Sequence, residues 1–373
     1  MIHRSVADKI ENRVGKGKAI ILLGARQIGK STMLRSMFQN RDDVAWISGD
    51  EPDVVELFDG ATSTRLKQYF GSNKILIIDE AQYIPNVGRK LKLFTDFVPD
   101  IQIIATGSSA FELMNSVNEP LTGRKWEYQM FPLSFKEMVD HHGLLEEQRS
   151  MMHRLIYGYY PEVVTSVGQE REVLKQLTDS YLYKDLLMLD QIKKSDKIVK
   201  LLQALAYQVG SQVSYNELSR LLGIDNKTVE KYIDALEKAF VIYRLSSYNR
   251  NLRNELKNTR KIYFYDNGVR NALIADFRIP EMRTDVGQLW ENFLISERMK
   301  KIHRDGTWMN RFMWRTKDQN EIDYLEEYDG KLYAFEFKWS DKAKVKIPKQ
   351  FTNAYPETEV QIISRENYID FLL

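Results

Sequence analysis

Short aliphatic runs separated by amphipathic stretches set the pattern of the first 150 residues. Ile20 to Leu23 are consecutive aliphatics, too few for a helix of their own, and are predicted as a buried strand. Val44–Ile47, Ile75–Ile78, Ile101–Ala105 and Trp126–Phe131 repeat the signal. Val6, Ile10 and Val14 recur every four residues, which predicts a helix beside the first strand. Strands alternating with helical segments predict an α/β fold with a doubly wound parallel sheet, whose ligands lie at the C-terminal ends of the strands.

The pattern then turns helical. Leu155, Ile156, Leu174, Leu177, Tyr181 and Leu182 mark a helix-rich segment over 151–194, interrupted at Gly158-Tyr-Tyr-Pro161. Over 195–262, Ile198, Leu201, Leu202, Leu205 and Val209 form one stripe. Ser214 to Glu217 reads as a capping box opening a second helix, which Gly223 ends. A third helix from Asp225 or Asn226 buries Val229, Ile233, Leu236 and Phe240 before a strand at Val241–Leu245, which predicts a winged helix-turn-helix. In the last segment, 263–373, Asp329-Gly330 between alternating runs is a hairpin turn signal. Tyr328 then pairs with Lys331, Asp323 falls opposite Glu336, and Glu321 falls opposite Lys338. Ile322, Tyr324, Phe335 and Phe337 share the other, core face. Opposed carboxylates repel; a divalent cation between Asp323 and Glu336, or a perturbed pKa, would remove that cost.

The first strand leads into the most informative chemistry. Gly24-Ala25-Arg26-Gln27-Ile28-Gly29-Lys30-Ser31, followed by Thr32, matches the phosphate-loop pattern at every position, between a predicted strand and a predicted helix. Backbone N–H groups of such a loop point at phosphates, and the helix N-terminus adds about half a positive charge. Lys30 would reach the β- and γ-phosphates and Ser31 would offer its hydroxyl to Mg²⁺. Asp79 and Glu80 close the next aliphatic run, where one carboxylate would hold Mg²⁺ and the other polarise the attacking water. Thr106-Gly-Ser-Ser109 ends the strand after it, and either Thr106 or Ser108 would sense the γ-phosphate. Arg124 reads equally as an arginine finger acting on a neighbouring subunit's nucleotide, which implies a homo-oligomer, or as a surface residue in a turn. The chain has no guanine-reading NKxD motif, so ATP is the expected nucleotide.

The segments GARQIGKSTML, LIIDEAQ, ATGSSA and the GR…FPLSFKEM run resemble an uncharacterised family of prokaryotic AAA+ ATPases. The resemblance covers most of the chain. It implies an AAA+ core over 1–150, a helical lid over 151–194 and a C-terminal domain of restriction-endonuclease-like fold. Asp323 with Glu336-x-Lys338 resembles the PD-(D/E)xK nuclease site, and Glu291 matches that family's N-terminal helix acid. The resemblance implies acids that bind Mg²⁺ and a lysine that positions or activates water.

Composition narrows the field. At 373 residues, two or three domains are expected. With no cysteine, disulfides, thiol catalysis and Cys-ligated metals are excluded. The histidines show no metal-ligand spacing, no apolar run reaches about 18 residues, and the start lacks a secretion signal's apolar core. A cytoplasmic protein without a membrane partner is expected. The net charge of +2 implies that any basic surface is local. Val241–Lys261 holds six basic residues (Arg244, Arg250, Arg253, Lys257, Arg260, Lys261) against one acid, Glu255, a composition suited to DNA phosphates. Asn226, Lys227, Thr228 and Lys231 would face DNA from a recognition helix, although Glu230, Asp234 and Glu237 share it. Lys342, Lys344, Lys346 and Lys349 add a basic tail.

Overall fold

The computed structural model describes residues 1–108, 120–182, 195–248, 260–342 and 345–373. The chain divides into two compact units: Met1–Phe131 with Lys238–Phe240, and Pro132–Glu237 with Val241–Leu373.

The first unit is built on a five-stranded sheet in the order β2-β3-β4-β1-β5, with every neighbouring pair parallel. Its strands are β1 (Ala19–Leu23), β2 (Val44–Ser48), β3 (Ile75–Asp79), β4 (Gln102–Gly107) and β5 (Lys125–Gln129). Each expected aliphatic run is present as a strand. β1 and β4 are buried throughout and β3 over its first four residues, as parallel strands covered on both faces require. β2 and β5 are the edges and stay partly exposed. The order sets the ends of β3, β4 and β1 side by side.

The second unit carries a seven-stranded mixed sheet, β12-β11-β10-β9-β7-β8-β6. Its strands are β6 (Gln212–Val213), β7 (Ile242–Ser247), β8 (Arg260–Phe264), β9 (Asn310–Arg315), β10 (Glu321–Tyr328), β11 (Lys331–Phe337) and β12 (Val360–Ile363). The helices Ser195–Tyr207, Tyr215–Leu222 and Asn226–Lys238 precede β7. Ser214 caps the second of these by accepting from Glu217 N, and Gly223 ends it with φ 63°. β8 pairs antiparallel with β6 on one side and β7 on the other, and β7 runs on as a parallel partner of β9. The boundary expected at residue 262 therefore falls inside a strand, and residues on either side of it share one sheet.

The β10–β11 hairpin has the expected register, from Tyr328↔Lys331 to Tyr324↔Phe335. Asp329 and Gly330 both have positive φ, 50° and 74°, as a two-residue turn matching strand twist demands. One expectation fails. A register shift between Ile322 and Leu325 against β9 moves Ile322 off the Tyr324 face. Ile322 joins Trp314, Leu325, Ala334 and Phe351 in one core cluster, while Tyr324, Phe335 and Phe337 stack together with Phe371.

The Gly158-Tyr-Tyr-Pro161 break has a tertiary cause. Buried Asp266 accepts from Tyr159 N (2.6 Å) and from Val269 N (3.0 Å), capping the helix Asn267–Leu273. A Cβ on Gly268 would lie 2.0 Å from the Tyr157 carbonyl oxygen. Gly268→Ala is therefore expected to destabilise the second unit by about 1–3 kcal/mol, read as a lower urea midpoint. Gly287→Ala, whose added carbon meets nothing within 4 Å, is expected to be neutral or slightly stabilising in the same measurement.

Candidate nucleotide site

The loop after β1 is tight on every side. A Cβ on Gly24 would meet Met130 O at 2.3 Å, so that position admits glycine only. Gln27 and Gly29 have φ of 59° and 88°, and the helix Lys30–Phe38 starts directly after. Ala25 and Ile28 are buried beneath the loop, and Thr32 is exposed on the helix. Lys30 is buried and its Nζ donates to Gly24 O (2.8 Å) and Ala25 O (2.9 Å), so the ammonium sits inside the loop that would wrap the phosphates. From outside, buried Arg4 donates to Ile28 O (2.7 Å) and Phe131 O (2.5 Å), and Arg26 donates to Tyr83 Oη (2.7 Å).

The ends of β3 and β4 complete the site. Ser31 Oγ donates to Asp79 Oδ2 at 2.6 Å, and Thr106 Oγ1 donates to Asp79 Oδ1. Thr106 also accepts from Glu80 N at 3.2 Å. Ser108 Oγ donates to Glu80 Oε2 (3.2 Å), and Gln82 Nε2 donates to the same carboxylate oxygen and to Ser108 Oγ (3.2 Å). Glu80 is left-handed (φ 48°), and a Cβ on Gly49 would lie 2.4 Å from its carbonyl oxygen, so Gly49 makes room for that turn. Ser109 lies outside the described residues.

Lys30, Ser31, Asp79, Glu80 and Ser108 thus converge, and Arg124 does not join them. Ala19 pairs with Lys125 at the starts of β1 and β5, which puts Arg124 one strand length, about 13–16 Å, from the loop after Leu23. Its Nε is bound to Asp96 Oδ1 at 2.7 Å. Arg124 does not reach its own chain's phosphate loop.

A second cluster forms in the second unit, and Glu291, Asp323, Glu336 and Lys338 all belong to it. Glu291 comes from the helix Val286–Asp305 and accepts from Tyr263 Oη (2.6 Å) and Lys261 Nζ (3.0 Å), both on β8. Lys261, nearly inaccessible, also binds Glu321, which Arg315 meets at 3.2 Å. Lys338 Nζ lies 2.8 Å from Glu336 Oε2 and 3.7 Å from Asp323 Oδ2, and Asp323 accepts from Phe337 N at 2.9 Å. Burial, reinforced by Asp323 and opposed by Lys261, pushes the Glu291 carboxyl up to about 7. Burial and Asp323 likewise raise Glu336. For Lys261 and Lys338, burial acts downward, but the surrounding carboxylates outweigh it and hold both above the ordinary lysine value. The Lys338 ammonium lies beside both opposed carboxylates, and the Glu336 carboxyl is displaced upward. Among the described residues no group of three or more His, Asp or Glu side chains is placed to hold a metal ion. Glu321 meets Lys261 and Arg315, and it pairs with Arg315 on β9.

The described cations of the basic stretch Val241–Lys261 pair with acids of their own unit. Arg244 binds Glu237 (2.8 Å from Nε) and Asp234 (2.6 Å). Arg260 bonds Tyr215 Oη at 3.2 Å and lies 4.0 Å from Glu230, and Lys261 is buried. Each of those three cations has an acidic partner inside the unit. Arg250, Arg253 and Lys257 lie outside the described residues, as does Lys344; Lys342, Lys346 and Lys349 are exposed.

Residues 16–139 match the model of an AAA domain. The chain resembles in structure a Walker-type ATPase of Pyrococcus abyssi, with a TM-score of 0.50 and 18% identity over 74% of this chain and 96% of that one. The first unit is a P-loop ATPase, and the chain is an ATP hydrolase. Residues 148–279 and 286–370 of this ATPase match two domains of unknown function, DUF8612 and DUF4143. An uncharacterized protein of Mycobacterium tuberculosis is 25% identical over 341 residues, 90% of this chain and 73% of the relative. One of Haemophilus influenzae is 28% identical over 277 residues, 69% and 67% respectively. No helix among the described residues of the ATPase is long and apolar enough to cross a membrane.

Four residues of the ATPase site had no role in the sequence reading: Arg4, Gly49, Gln82 and Tyr83. Gln82, two residues past the acid pair, carried the one usable signal, since a polar side chain there lies beside the carboxylates. Arg4 carried none, because its partners are backbone carbonyls far along the chain.

Proposed function

We propose that the chain hydrolyses ATP with Mg²⁺ at the phosphate loop and couples that reaction to DNA binding by its second unit. The observation that carries the ATPase half is the 2.6 Å Ser31–Asp79 bond, which joins a hydroxyl and a carboxylate at the loop's exit. Hard oxygen donors of this kind suit Mg²⁺, which takes one or two carboxylates and leaves other positions to phosphates and water. The ion would neutralise charge on the phosphates. Lys30 would exchange its two loop carbonyls for phosphate oxygens. Glu80 would accept a proton from the attacking water, with Ser108 orienting it, and Thr106 would keep Asp79 and Glu80 in register. Lys30→Ala is expected to abolish ATP turnover, and Glu80→Gln to retain ATP binding while slowing hydrolysis by about 100-fold or more. A phosphate-release assay beside a nucleotide titration measures both.

The DNA half draws support from the helix Asn226–Lys238. Its acids Glu230, Asp234 and Glu237 are matched by Arg260 and Arg244, while Asn226, Lys227 and Lys231 stay exposed. We read this helix, with the β6-β8-β7 strands, as a winged helix-turn-helix. Duplex DNA binding is expected to fall with salt, and exchanging Lys227 and Lys231 for Glu to lower the log–log salt slope by about 2. A wild-type protein that ignores duplex DNA at about 50 mM salt would leave an ATP switch with protein partners.

Metal-dependent cleavage is a second reading, favoured by the convergence of Glu291, Asp323, Glu336 and Lys338. If it holds, plasmid nicking with Mg²⁺ or Mn²⁺ is expected to disappear in Asp323→Ala. Equal nicking by that variant would trace the activity elsewhere.

A further inference from the structure

The Glu80 carboxylate is held by a side chain outside the phosphate-loop motif and the acid pair. Gln82 lies in the turn Ala81–Tyr83, and its Nε2 donates to Glu80 Oε2 and, at 3.2 Å, to Ser108 Oγ. With Nε2 committed to two oxygen acceptors, the other end of the amide is an acceptor. That end, Oε1, is buried and has no hydrogen-bond partner among the described residues. An orphaned buried carbonyl oxygen is destabilising, so this position favours the arrival of a donor.

The charged end of a nucleoside triphosphate brings acceptor oxygens and no donor. Water brings two O–H groups. We propose that Gln82 Oε1 accepts one hydrogen of the attacking water while Glu80 accepts the other. A water donating both hydrogens to two protein acceptors keeps its lone pairs for the γ-phosphorus. In the step itself, the water oxygen bonds to the γ-phosphorus and the bond from that phosphorus to the β,γ-bridging oxygen breaks. The electron pair leaves on ADP, and the water's proton passes to Glu80. Gln82 gains and loses no proton; it fixes the direction of attack. This inference rests on the reading of Glu80 as the proton acceptor.

Gln82→Met keeps the length of the side chain and removes both amide groups. The expected result is a kcat lowered about tenfold or more with ADP affinity unchanged within about twofold. Trapping of ADP with aluminium fluoride, which mimics the transferring phosphoryl group with its in-line water, should weaken by the same factor as kcat. Turnover close to wild type overturns the inference. So does an equal loss of ADP affinity, which would mark a structural residue. Glu80→Gln is measured alongside. If Glu80→Gln turns over freely, the proton-acceptor reading falls and takes this one with it; if it stalls while Gln82→Met does not, only Gln82 loses its role. Should Gln82→Met fail to fold, Gln82→Asn, one methylene shorter, decides by the same two measurements.

Discussion

The Asp79 carboxylate is the fixed point of the ATPase unit. One oxygen takes the Ser31 hydroxyl from the phosphate-loop helix and the other takes the Thr106 hydroxyl from β4. Three segments far apart in sequence are thereby clamped around a single side chain. Because β4 lies between β1 and β3, any shift of one strand end strains hydrogen bonds to the other two. Thr106 extends the clamp by accepting from the Glu80 amide, so the backbone of the second acid is set by the same hydroxyl that holds the first.

Much of this unit was legible in the sequence because its signals are local. Ile20–Leu23 and Ile75–Ile78 are strands buried on both faces, and such strands advertise themselves as unbroken aliphatic runs. The β10–β11 hairpin was legible for a different reason. Asp329-Gly330 tolerates the two positive φ values that a tight turn requires, and the turn fixes the register of everything paired behind it. What escaped was non-local. The shift at Ile322–Leu325 is imposed by β9, some ten residues upstream, and no alternation within β10 announces it. Arg244, Arg260 and Lys261 read as an outward basic stretch until the acids of the helix Asn226–Lys238 and the Glu291 side chain are placed beside them.

The cluster around Lys261 illustrates how a buried set of charges is tolerated. Four carboxylates sit with two lysines and an arginine at its edge, and each has at least one cationic or N–H partner. Removing one cation from such a group leaves a buried charge uncompensated, which is far costlier than the pair's own net contribution. Burial pushes the Glu291 and Glu336 carboxyls upward while the neighbouring lysines pull them down.

The parallel pairing of β7 with β9 has a practical side. It fuses the strands that follow the helix Asn226–Lys238 to those that carry Glu321 and Asp323, so the second unit cannot be cut at residue 262 without tearing a ladder. A fragment beginning there would start inside β8 and present β9 as a bare edge, its N–H and C=O groups free to recruit strands from other molecules. Such a piece would be sticky before it was informative. Its aggregation would report the missing neighbour strand, and nothing about what the carboxylates beside it can do.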